Sequence, residues 1–173
     1  MGSRWFFFCV IGLSISIQGC LSASGKGVSS VAVTVETIGA GVNGPHFGLL
    51  PGARWIGGAD AFASILESLQ GSVLPAGPNR SPELDFTREG VLLVWMGDRP
   101  TGGYTIELMP GQSYIRDRVA YIRVGWNEAQ PGVLVPQVLT RPYLMVRMGR
   151  ADYQRIVVVD QHGRNRVWLD IGE

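Results

Sequence analysis

Cysteine and histidine are both scarce in this chain of 173 residues, which contains two of each. Both cysteines, Cys9 and Cys20, lie in the first twenty residues, so the rest of the chain has none with which to form a disulfide. The histidines, His46 and His162, lie in loop-like segments far apart in the sequence. These shortages argue against a zinc site of cysteine and histidine ligands and against a Ser-His-Asp triad. We therefore predict a protein that is not an enzyme and has no metal and no cofactor.

The chain also lacks an excess of either charge, since 15 Lys and Arg residues nearly balance 14 Asp and Glu residues. Without a basic field, a protein has little electrostatic attraction for nucleic acid. Residues 39–44 have the glycine spacing of a dinucleotide fingerprint, but Pro45 follows where the phosphate-binding helix would have to begin. We therefore predict that the protein binds neither nucleic acid nor a dinucleotide.

The first twenty residues have the layout of a bacterial secretory signal. Arg4 supplies a positive charge, and the apolar run of residues 5–17 is shorter than the roughly 20 residues of a membrane-spanning helix. The closing pair Gly19-Cys20 resembles the lipobox of bacterial lipoproteins. This resemblance implies a signal peptide of residues 1–19 and a membrane anchor of acyl chains, such as palmitate, on Cys20. The alternative is an uncleaved apolar helix with an incidental cysteine.

Position 21 bears on where such a lipoprotein would go. Leu21 stands in place of an aspartate, which in a diderm bacterium favours the outer membrane over retention at the inner membrane. Residues 20–30, with the lipidated cysteine at their start, are rich in serine and glycine and predict a flexible tether. We therefore expect a domain anchored to the bacterial cell envelope through Cys20.

Residues 31–173 show no internal repeat and no visible boundary, and we predict a single β-rich domain. A helical stripe of apolar residues indicates one helix near residues 60–70. Apolar or alternating segments predict strands at residues 31–38, 84–86, 91–96, 104–108, 119–126, 133–139, 142–148, 156–159 and 166–171. The expected fold is mainly β, a sandwich or partly open barrel of short antiparallel strands with one packed helix.

One motif is distinctive, namely Gly97-Asp98-Arg99-Pro100-Thr101-Gly102-Gly103-Tyr104 between two predicted strands. Pro100 and the two adjacent glycines predict a tight turn. Leu84-Asp85-Phe86 precedes this motif and Thr140-Arg141-Pro142-Tyr143 follows it. The order resembles the C-terminal domain of the PrcB family of protease-complex subunits, over about residues 55–148. That family includes lipoproteins required by an exported protease complex, which agrees with the predicted anchor.

The resemblance implies a membrane-anchored, non-catalytic lipoprotein that binds a protein partner as an accessory subunit of an exported protease complex. The amides of the two glycines would then pair with an extended strand of the partner. One alternative is a chagasin-like protease inhibitor, because both motif loops also resemble that family's loops. Another is an envelope structural lipoprotein without a dedicated partner, in which the turn only shapes the fold. The predicted partner-binding residues are Arg99, Thr101, Gly102, Gly103 and Tyr104, with Arg141 and Tyr143 as a neighbouring loop.

Overall fold

A computed structural model describes residues 29–69 and 83–171. The predicted signal peptide, Cys20 and residues 21–28 of the predicted tether lie outside these residues. The described parts contain ten strands and one helix. In chain order they are β1 (Val31–Ala32), β2 (Val35–Gly41), β3 (Gly52–Ile56), α1 (Ala59–Leu69), β4 (Glu89–Trp95), β5 (Thr105–Leu108), β6 (Tyr114–Arg116), β7 (Val119–Asn127), β8 (Tyr143–Gly149), β9 (Arg155–Val159) and β10 (Asn165–Asp170).

The strands form two sheets, as expected for a sandwich-like β fold. The six-stranded sheet has the order β1-β6-β7-β9-β10, with β5 also paired to β7, and the four-stranded sheet has the order β2-β8-β4-β3. All of these pairs are antiparallel except β7 and β9, which are parallel. The parallel pair arises because β8, which lies between them in the chain, belongs to the other sheet. The predicted mainly β fold with one helix is therefore confirmed.

Alternation and burial explain how the elements pack. In β7, Ala120, Ile122, Val124 and Trp126 are buried and alternate with partly exposed residues, so one face of this strand covers the core. In β4, Leu92 and Val94 join the core between the sheets, whereas Val91 and Leu93 join a second cluster with helix α1. Because β4 is covered on both faces, its sequence is continuously apolar. The helix contributes Phe62, Ile65 and Leu69 to that second cluster.

Three predicted strands differ from the structure. The segment 31–38 divides into β1 and β2, which belong to different sheets. The segment 84–86 is not a strand, because the Asp85 carboxylate accepts hydrogen bonds from the Thr87 amide and hydroxyl and thereby stabilises a turn. The segment 133–139 is an exposed loop, in which Leu134 is fully accessible to solvent. In addition, neither β3 nor β6 is among the predicted strands.

Candidate functional site

The predicted contact residues centre on the turn between β4 and β5, where the chain passes from one sheet to the other. Arg99 and Thr140 exchange two backbone hydrogen bonds, both of 2.8 Å. The Thr140 hydroxyl donates to the carbonyl oxygen of Thr101 at 2.8 Å, and the Gly102 amide donates to the carbonyl oxygen of Pro136 at the same distance. The structure thus places the turn of residues 99–104 beside the segment that leads to Arg141. Hydrogen bonds with Pro136 and Thr140 hold the turn in one conformation.

The two glycines of the turn differ in exposure. Gly102 is buried, and because its amide donates to Pro136, this amide is not open to an extended partner strand. Gly103 is exposed and has φ of +84°, a conformation that favours glycine over residues with a side chain. A Cβ at Gly103 would also lie 3.0 Å from Cγ1 of Val135. Both glycines therefore shape the turn, and only Gly103 lies at the surface.

Arg99 and Tyr104 support the two ends of the turn. The Arg99 guanidinium lies 5.5 Å from the centre of the Tyr104 ring, and its Nη2 donates to the carbonyl oxygen of Met96 at 2.6 Å. Its Nε is buried and has no hydrogen-bond partner within residues 29–69 and 83–171. The Arg99 guanidinium is thus bonded to the residue after β4 and packed against Tyr104, so it connects the two ends of the turn.

Arg141 belongs to a small ionic cluster at the base of the turn. Its Nε donates to Oδ1 of Asp98 at 2.9 Å, and Nδ1 of His46 lies 3.3 Å from the same oxygen. The Arg141 guanidinium is the main reason why the pKa of Asp98 lies below its usual range; His46 adds to this effect, and partial burial opposes it. Through Asp98, the cluster connects the loop that contains His46 to the start of the turn and to Arg141.

Tyr143 does not form part of the exposed surface. Its side chain lies in the cluster beneath helix α1 and the residue is only 1% exposed, which prevents direct contact with a partner in this structure. Its hydroxyl has no hydrogen-bond partner in the described parts of the chain, and burial raises the pKa of this phenol. The predicted strand of residues 142–148 does begin here, because Tyr143 is the first residue of β8, but its side chain packs inward instead of forming a contact loop beside the turn.

Replacing Tyr143 by phenylalanine should leave the free energy of unfolding unchanged or raise it by about 1 kcal/mol, because the change removes a buried polar group that has no partner. Urea unfolding measures this difference. Tyr153→Phe is the matched control, since the Tyr153 hydroxyl donates to the carbonyl oxygen of Gly149 at 3.0 Å and its removal should destabilise the protein. An equal loss of stability in both variants would show that the Tyr143 hydroxyl is in fact bonded.

A groove beside the turn is lined mostly by residues that were not predicted to contact a partner. Its volume is about 430 Å³, and it lies between the loop after β7 and the turn from β9 to β10. Gly103 forms part of its wall. The other lining residues are Trp126, Asn127, Glu128, Gln130, Val133, Val135, Gln161, His162, Arg164 and Arg166. His162, predicted to lie in a loop-like segment, lies in the turn between β9 and β10 and lines this groove.

Asp160 is bonded to two arginines that line the groove. Its carboxylate is fully buried and accepts hydrogen bonds from Nε of Arg164 and Nε of Arg166, both at 2.9 Å. The amides of His162 and Arg164 donate to its other oxygen at 2.8 and 2.9 Å. Burial alone would raise the pKa of Asp160, but these four donors together lower it to about 2. The Arg164 side chain remains 63% exposed and presents a positive charge at the groove.

The loop of residues 133–139, here called the apolar loop, forms one wall of the groove. Val133, Leu134, Val138 and Leu139 all expose at least half of their surface, and this loop also bonds to the turn through Pro136. Pro136, with Pro131 and Gly132 just before the loop, is the sequence signal from which a loop could have been predicted here in place of the strand. An exposed apolar loop next to polar residues is typical of a protein-interaction surface.

Two further observations concern the described residues. Within residues 29–69 and 83–171, no three His, Cys, Asp or Glu side chains lie close enough together to hold a metal ion. Helix α1, the one helix in that part of the chain, is too short to cross a membrane.

Comparison with known proteins gives one match. A family model described as PrcB C-terminal matches residues 91–149, from Val91, the third residue of β4, through the turn and the apolar loop to the end of β8. No curated protein and no solved structure matches the chain. The match is shorter than the predicted 55–148 at its N-terminal side, and it includes every predicted contact residue. It confirms the resemblance to the PrcB C-terminal family, which suggests at most an accessory subunit related to a protease complex.

Proposed function

We propose that this protein is a membrane-anchored lipoprotein that binds a partner protein, without catalysis, as an accessory subunit of an exported protease complex. One observation carries the binding role: the turn of residues 99–104 is fixed by hydrogen bonds to Thr140 and Pro136 and lies beside the exposed apolar loop. A fixed turn loses little conformational entropy on binding. The apolar loop supplies surface that gains free energy when a partner removes it from water.

The chemistry of this region indicates what a partner should offer. The apolar loop would contact apolar side chains, and Arg164 at the groove would attract a carboxylate beside them. Because the Gly102 amide is already bonded, recognition would rest on side chains and on the exposed turn rather than on added strand pairing at this glycine. A partner strand would therefore not pair with the Gly102 amide.

Lipidation at Cys20 would leave this region accessible. Ten residues, 21–30, separate Cys20 from β1, and they can reach at most about 35 Å. Through β6, strand β1 lies beside the beginning of β7, whereas the turn and the groove lie at the end of β7. The tether thus joins the domain at the end opposite to the proposed binding region. With Leu21 after the cysteine, we propose the outer membrane of a diderm cell as the location.

Site-specific photo-crosslinking in native membranes tests the proposal. A photoreactive amino acid at Leu134, whose side chain is fully exposed, should crosslink to one stoichiometric partner, expected to be a subunit of a protease complex. The same photoreactive residue at Val31, an exposed apolar position at the other end of the sheet, is the matched control and should not. Equal crosslinking at both positions would overturn the proposed surface. Crosslinking at neither position would instead favour an envelope structural lipoprotein.

A protease inhibitor is the second candidate, and one observation favours it. Three loops, at residues 99–104, 133–139 and 160–165, lie together around the groove, and such an edge can enter a protease cleft. The purified protein should then reduce the activity of a papain-type cysteine protease in proportion to its concentration. A papain-type protease that stays fully active at saturating protein would exclude this candidate, while leaving the accessory role intact.

A further inference from the structure

The outer face of the six-stranded sheet carries a row of large side chains that the proposed binding region does not include. Strand register places Tyr114 of β6 opposite Tyr121 of β7, Tyr121 opposite Val157 of β9, and Val157 opposite Trp168 of β10. Their neighbours along each strand, such as Ile122 and Ile156, belong to the core between the sheets. Since side chains alternate along a strand, the row must lie on the opposite, outer face.

The row combines apolar surface with polar tips. Trp168 is 66% exposed, whereas Val157, between Tyr121 and Trp168, is only 7% exposed although it belongs to neither buried cluster. The rings of Tyr114 and Tyr121 are stacked, with their centres 4.9 Å apart and an angle of 18° between their planes. Each ring therefore covers one face of the other.

Arginines flank the row. Arg116 lies 5.5 Å from the centre of the Tyr121 ring, and Arg123, two residues after Tyr121, lies on the same face. Neither forms a salt bridge within the described residues, whereas Arg155 on this face is paired with Asp170. Acidic residues also lie near this surface: Glu107 of β5 pairs with Gly125 of β7, and Asp117 lies in the turn between β6 and β7. Tryptophan, tyrosine and arginine together are typical of the boundary between membrane and water, where their polar ends remain hydrated.

We infer that this outer face, through Tyr114, Tyr121, Trp168, Arg116 and Arg123, lies on the surface of an anionic phospholipid membrane. The inference rests on the proposed lipid anchor, because ten residues connect Cys20 to β1 and β1 is the edge strand of this same sheet. The two arginines would contact anionic headgroups, and Trp168 would enter the headgroup layer. The anchor then fixes not only the location of the domain but also its orientation, with the turn and the apolar loop free to bind a partner.

Fluorescence quenching in vesicles tests this orientation. The full lipidated protein is reconstituted into vesicles of phosphatidylglycerol and phosphatidylethanolamine that contain brominated lipid, and tryptophan emission is recorded. We expect the quenched fraction to fall by about twofold in Trp168→Phe, since the remaining tryptophans of the domain are less exposed or buried. Arg116→Gln combined with Arg123→Gln should also weaken quenching, and electrically neutral vesicles should quench less.

A matched variant moves the exposed indole from the outer face of the six-stranded sheet to the apolar loop. In Trp168→Phe combined with Leu134→Trp, the new tryptophan lies on the apolar loop, and we expect it to remain unquenched. Quenching at Leu134→Trp without quenching at Trp168 would overturn the inferred orientation. A Trp168 that is unquenched in vesicles but protected from solvent in native membranes would indicate a protein occupant and would equally overturn it.

The anchor and the orientation can fail separately. If mass spectrometry finds no acyl chain on Cys20, the proposed lipoprotein fails; quenching of Trp168 with the full Cys20→Ser chain would then still support the membrane-facing surface. If the acylated protein floats with vesicles while Trp168 stays unquenched, the anchor stands and the inferred surface is wrong.

Discussion

Replacing Gly97 by alanine should lower the free energy of unfolding by about 3 kcal/mol or more. Gly97 follows β4 with φ of +81°, where a residue with a side chain is strained. A Cβ at this position would collide with the backbone carbonyl of Leu49. Rotation of a side chain cannot relieve a collision with backbone. The loop that contains Leu49 is also held to β4, because Nε1 of Trp95 donates a hydrogen bond to the carbonyl oxygen of Leu50. The first glycine of the motif is therefore required by close packing.

Gly149→Ala is the matched control for Gly97→Ala. Gly149 ends β8, and a Cβ there would meet no atom within 4 Å. Urea unfolding should show a change of less than about 0.5 kcal/mol for this variant. Similar midpoints and slopes for the two alanine variants would contradict the packing argument. Because Gly97→Ala should weaken the whole fold, any loss of partner binding in that variant would say nothing about the binding surface.

Replacing Asp160 by asparagine should cost about 3 kcal/mol of stability, because two arginines then lose their buried anionic partner. The carboxylate accepts from Nε of Arg164, from Nε of Arg166 and from two backbone amides, and an amide group cannot serve all four donors. Asp152→Asn is the control, since the pair of Asp152 with Arg118 is largely exposed and its loss should change little. Equal effects on the urea midpoint would contradict the role assigned to Asp160.

The same change should alter how stability depends on pH. The pKa of Asp160 in the folded protein is about 2, below the ordinary value of 3.8 that applies to the unfolded chain. The unfolded state thus takes up a proton first, so the stabilisation is complete above about pH 4 and is lost as the pH falls toward about 2. Asp98 and Asp170 also have lowered pKa values and contribute to this acid decline. The difference between wild type and Asp160→Asn should therefore shrink over this range, and a constant difference would contradict the assignment.

Local periodicity by itself predicted much of the fold. The spacing of apolar residues shows which faces of an element avoid water. It correctly predicted the alternation of β7, the continuously buried β4 and the apolar stripe of helix α1. Strands β9 and β10 and the turn of residues 99–104 were also predicted. Turn residues can be recognised because they act through their own backbone preferences. The anchor at Cys20 is a prediction of the sequence alone.

Tertiary structure decided what no local pattern could specify. An apolar run predicts a buried strand, but it does not show whether another element of the fold covers that run. Residues 133–139 are an exposed loop for this reason, whereas Tyr143, predicted as a contact residue, lies in the core. The parallel pairing of β7 with β9 depends on β8 lying in the other sheet. The groove and the bond that occupies the Gly102 amide each join residues far apart in the chain. Such contacts depend on the relative position of whole strands, which the sequence determines only through the complete fold.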